Sequence, residues 1–93
     1  MPPPVGTTLR LLAAQNPVRA QVTLELDVPE PGPIDIVVRD VAGRRILSMR
    51  VVANQSVQTV PLDLSGHAQG VYFVTARDAR GRSSPVLKLV RLE

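Results

Sequence analysis

Apolar and polar residues alternate along most of this chain, with a period of two. The clearest stretch is Gln21-Val22-Thr23-Leu24-Glu25-Leu26-Asp27-Val28, whose even positions are all apolar and whose odd positions are all polar. Successive side chains on a strand point to opposite faces, so this segment predicts a half-buried antiparallel strand. Pro29-Glu30-Pro31-Gly32-Pro33 ends it, because proline has no N–H for a ladder and glycine tolerates unusual dihedrals. A second strand is predicted from Ile34 to Asp40, with Ile34, Ile36 and Val38 on one face. Asp40-Val41-Ala42-Gly43-Arg44 reads as a turn in which Gly43 suits a positive φ.

Arg45 to Val52 is a further strand, although Ile46, Leu47, Met49, Val51 and Val52 leave its inward face open. Val57 to Leu64 alternates Val60, Leu62 and Leu64 with Thr59 and Asp63, and Pro61 inside it marks an edge strand or a bulge. Ser65 to Gly70 is a loop, Gly70 to Arg77 a strand, and Asp78-Ala79-Arg80-Gly81-Arg82 a hairpin-like turn into Pro85 to Leu92. A weaker strand, Thr8 to Ala14, precedes Asn16-Pro17. Helical periodicity is absent, and no internal repeat is evident. Seven short strands at roughly ten-residue spacing predict an all-β sandwich or barrel, with two sheets burying their apolar faces against each other. The three prolines at 2–4 make residues 1–7 a linker end, leaving 8–93 as one domain.

Composition narrows the function. Of the 93 residues, hydrophobic ones make up 44% and charged ones 20%, a globular balance with a thin aliphatic core, since Tyr72 and Phe73 are the only aromatics. Without cysteine there is no disulfide scaffold, thiolate zinc site or thiol nucleophile, and the single histidine, His67, cannot supply a two-imidazole site. No apolar stretch approaches the ~20 residues of a membrane-spanning helix. Met1-Pro2-Pro3-Pro4 lacks the basic-then-apolar layout of a signal peptide. Ten arginines and Lys88 against eight acids give a net charge of +3. The bases are interrupted by acids: Arg39, Arg44, Arg45 and Arg50 surround Asp40, and Arg77, Arg80 and Arg82 flank Asp78. With few aromatics for base stacking, nucleic acid is not the expected partner.

Candidate chemistry is sparse. His67 would need a nucleophile and an orienting carboxylate brought to it by the fold, and Ser65 and Asp63 beside it in sequence make no triad, so an exposed loop histidine is expected. Asp35, Asp40, Asp63 and Asp78 lack the spacing of a calcium loop. No glycine opens a helix to cradle phosphate. The residues therefore predict no enzyme, cofactor or metal site. Tyr72, at the start of a strand after a corner, suits a hydroxyl bonded back to upstream backbone. Lys88 reads as an outward charge on a terminal strand, opposite in facing to Leu87 and Leu89.

The ordered set Asn16-Pro17, Val28-Pro29-Glu30-Pro31-Gly32, Asp40-Val41-Ala42-Gly43-Arg44, Leu64-Ser65-Gly66, Gly70-Val71-Tyr72-Phe73-Val74 and a final Lys88-containing strand resembles the type A C-terminal sorting domain of the type IX secretion system. The resemblance covers about residues 9–93 and rests on order and spacing rather than on any one element. It departs at Val18, where the family often has an aromatic after Asn-Pro. The resemblance implies a seven-stranded antiparallel immunoglobulin-like β-sandwich at the end of a larger exported cargo. Such a domain carries its cargo through the periplasm and across the outer membrane to the cell surface or medium. The implied partners are the translocon, shuttle and sortase components, the N-terminal cargo domain, and anionic lipopolysaccharide as a candidate, with a monomer favoured. By motif match, Gly70 and Tyr72 form the G-x-Y element and Lys88, Leu89 and Val90 the terminal element. Asp40, Gly43 and Arg44 form the central turn, and Pro29, Pro31 and Gly32 the proline/glycine turn. The rival reading is a passive immunoglobulin-like accessory or adhesion module.

Overall fold

The computed structural model describes residues 9–13 and 20–92. Among them every regular element is a strand: β1 Arg10–Ala13, β2 Gln21–Asp27, β3 Gly32–Asp40, β4 Arg45–Ala53, β5 Val57–Asp63, β6 Gly70–Asp78 and β7 Leu87–Arg91. The expected linker at 1–7 and the Asn16-Pro17 pair lie outside the described residues. Alternation works as expected in β2, where Val22, Leu24 and Leu26 are buried between exposed neighbours. A three-stranded sheet has the order β1-β2-β5 and a four-stranded sheet the order β4-β3-β6-β7, with all pairs antiparallel. Their apolar faces meet in one core, including Leu24 and Leu26 from one sheet and Ile34, Ile36, Val74 and Leu89 from the other. This is an all-β, immunoglobulin-like sandwich.

Three local departures from regular alternation have physical causes. In β4 the inward face is Leu47, Met49, Val51 and Ala53. The ladder runs from Val38↔Leu47 to Arg39↔Arg45, so Ile46 is an extra residue, and this bulge is what blurs the sequence pattern. Strand β3 starts at Gly32, two residues before the expected Ile34. Pro33 is tolerated there because it lies opposite Val52 of β4, one position before the β6 ladder begins at Ile34↔Asp78. Strand β7 begins at Leu87 rather than Pro85. Arg77 bridges Ser83 while Val74 pairs with Leu87, so three residues containing Pro85 oppose two on β6. Pro61 lies in β5, which is an edge strand, as its proline requires.

Candidate recognition elements

The G-x-Y and terminal elements, separate in sequence, form one antiparallel pair. Gly70 lies opposite Arg91, Val71 opposite Val90, Tyr72 opposite Leu89 and Phe73 opposite Lys88. Gly70 opens β6 at a φ of +146°, a region that side chains rarely enter. Tyr72 and Leu89 point into the core, at 5% and 0% exposure. Lys88 stands exposed on the other face, and Val90 is half-buried beside Val71 on that face. Of the five matched positions, Lys88 is therefore the one that presents its side chain most openly, while Tyr72 and Leu89 hold the pair in place.

The loop before β6 is clamped from two sides. The Tyr72 hydroxyl donates to the Ala68 carbonyl, four residues upstream, which is the tyrosine corner its position predicts. From β7, Arg91 Nη1 donates to the His67 carbonyl at 2.6 Å. Here the exposed loop histidine needs correction: His67 is half-buried, because the turn from Leu64 folds back and the Arg91 side chain covers its backbone. Ser65 N donates to Asp63 Oδ1 at 2.9 Å. The Ser65 side-chain and backbone bonds, followed by more distant positive charge, hold the Asp63 carboxyl below its ordinary range. These groups organise a turn.

Both Asp-x-x-Gly-Arg segments adopt one geometry, a repeat that sequence reading missed. In Asp40–Arg44, Asp40 Oδ1 accepts from Ala42 N at 2.9 Å and Arg44 N at 3.0 Å, and Arg44 Nε reaches Asp40 Oδ2 at 3.0 Å. In Asp78–Arg82, Asp78 Oδ1 accepts from Arg80 N at 3.0 Å and Arg82 N at 2.9 Å, and Arg82 Nε reaches Oδ2 at 2.6 Å. Gly43 and Gly81 carry φ values of +83° and +82°, which the turn demands. The backbone bond from Arg44 is the first cause that keeps Asp40 below the ordinary carboxylate range. At Asp78 burial pushes the carboxyl up, but the Arg82 and Arg80 hydrogen bonds and the Arg82 charge outweigh it and hold the group low.

The two turns lie at opposite ends of the four-stranded sheet, since Asp40 pairs with Tyr72 and Asp78 with Ile34. The first therefore sits beside the clamped loop. The second meets the proline/glycine turn: Glu30 Oε1 accepts from Arg80 Nε at 2.6 Å and from Arg82 Nη2 at 2.9 Å. Pro29 is half-buried, Pro31 is exposed, and Gly32 begins β3. Sequence reasoning passed over Glu30, Arg80, Arg82 and Arg91 as members of this framework. The repeated pentapeptide was the available signal for the turn residues, whereas Glu30 and Arg91 act across distant segments. The four aspartates considered for a cation are engaged elsewhere, Asp35 by Arg50 at 2.9 Å and the other three in turns. Among the described residues, no three His, Asp or Glu side chains gather as a metal site.

The secretion system C-terminal sorting domain family matches residues 16–90 of this sequence. The chain belongs to that family. No curated protein matches the sequence. The sorting domain is a type IX secretion signal, which implies contact with the type IX machinery and export to the outer-membrane surface or beyond. The match takes in the β3–β4 turn, the G-x-Y element and the terminal element as far as Val90.

Proposed function

We propose that the domain is a non-catalytic address. Its cargo passes through the periplasm, the folded domain is read at the outer membrane by the translocon and shuttle, and a sortase then cuts it away and joins the cargo to anionic lipopolysaccharide. The observation that carries this reading is the assembly of Gly70, Tyr72, Lys88, Leu89 and Val90 on one antiparallel pair whose outer strand is an edge of the sheet. An edge strand can add a partner strand through its backbone, with alternate side chains supplying selectivity. Two buried anchors, Tyr72 and Leu89, keep the register of that edge fixed.

Processing tests the enzymatic half of the proposal. A periplasm-targeted reporter ending in residues 1–93 is recovered from cells with and without the sortase, and its C-terminus is read by mass spectrometry. The expected product in sortase-bearing cells ends before β1 and lacks the domain. Exported reporter retaining residues 1–93 in both strains would contradict cleavage.

A further inference from the structure

We propose that the outer face of the four-stranded sheet is a binding site for a phosphate-bearing polysaccharide. A concavity of about 600 Å³ lies on this face, lined by Arg39 of β3, Arg45 and Arg50 of β4, and Arg77 of β6. Asp35 is the only acidic residue in its lining. Four guanidinium groups against one carboxylate give a local charge of +3, equal to the formal net charge of the whole chain. Ser48, Thr75 and Ser83 place hydroxyl groups in the same concavity.

The register explains how bases scattered in sequence converge. Arg50, Asp35 and Arg77 form one cross-strand row. Four residues along β3 on the same face, Arg45, Arg39, Phe73 and Lys88 form another. Between them Ser48, Val37 and Thr75 form a row with no charge. The β4 bulge is essential: it brings Arg45, instead of Ile46, opposite Arg39. Cations on turns are largely spent, since Arg44, Arg80 and Arg82 pair with Asp40, Glu30 and Asp78. Arg39, Arg45 and Arg77 take part in no ion pair among the described residues.

The chemistry of the lining selects the occupant. Protein interfaces centre on apolar and aromatic anchors and exclude charge from the middle. The exposed large apolar side chains, Leu12, Val41, Val52, Val57, Val86 and Leu92, all lie outside this concavity. Single-stranded nucleic acid wants exposed aromatic platforms, and the face offers only the half-buried Phe73 beside it. Guanidinium forks bind phosphate in bidentate fashion, and two cationic rows flanking a strip of hydroxyls fit a chain with phosphates at intervals and sugar hydroxyls between.

This inference deepens the sorting reading by giving the domain a partner chemistry, but the two fail separately: loss of binding leaves the export assay intact, and failed export leaves binding measurable. Residues 1–93 are titrated by calorimetry with soluble phosphomannan, neutral mannan and poly-glutamate at several salt concentrations. Phosphomannan is expected to bind and neutral mannan not to bind. Phosphomannan binding should weaken steadily as salt rises, since guanidinium–phosphate attraction is screened. Arg39→Gln with Arg77→Gln should weaken binding about tenfold. Arg10→Glu, an equal change of charge made on the exposed side of β1 in the other sheet, should leave it within about twofold. Circular dichroism melts confirm that both variants fold. Absence of phosphomannan binding, equal weakening by both variants, or tighter binding of poly-glutamate would overturn the proposal.

Discussion

Tyr72 and Phe73 are adjacent aromatics with opposite duties. Tyr72 is core, and its hydroxyl ties the preceding loop at Ala68. Phe73 lies on the outer face, in the row that holds Arg39 and Lys88. Losing the corner bond while keeping the ring leaves the Ala68 carbonyl without that donor and costs about 1–2 kcal/mol. Tyr72→Phe is therefore expected to lower the urea midpoint without changing the m-value, and an unchanged midpoint would show that the bond contributes nothing. The tyrosine's role was legible because a corner bond is local, spanning four residues. Arg91 was not, because its acceptor is 24 residues upstream and no pattern along β7 singles it out.

At the level of elements, alternation revealed all seven strands, and it failed where a strand departs from period two. The Ile46 bulge hid the inward face of β4, and Pro85 shifted the start of β7. Neither the bulge nor the irregular ladder has a local signature, since each exists only relative to the partner strand. The two Asp-x-x-Gly-Arg turns give these elements a pH dependence. Asp78, with a side chain only 6% exposed, is held below the ordinary carboxylate range in the folded state. Its unfolded form takes up a proton first as pH falls, so its contribution is complete above about pH 4 and is lost as pH drops through the depressed folded value. Asp78→Asn is expected to lower the melting temperature at pH 7 and to flatten the loss of stability as pH falls below about 4. An acid limb as steep as the parent's would remove Asp78 from the account. Arg82 and Glu30 extend the same network to the proline/glycine turn, so Glu30→Gln should loosen that end without touching the Tyr72 corner.

Across the whole molecule, strand pairing in the four-stranded sheet brings together what the chain keeps apart. The motif positions near 70 and near 88 become neighbours on one edge. Arginines from three strands, interrupted by acids in sequence, become one cationic face. The sandwich class and the family resemblance were readable from strand spacing and motif order, whereas the cationic face was not, because it depends on cross-strand register. The most direct test of the central claim is transport. A periplasm-targeted fluorescent reporter ending in residues 1–93 is expressed in bacteria with an intact or a deleted type IX translocon, and its fluorescence is measured at the surface and in the medium. The account predicts reporter outside the cell only when the translocon is intact. A folded reporter retained in the periplasm of both strains would contradict it.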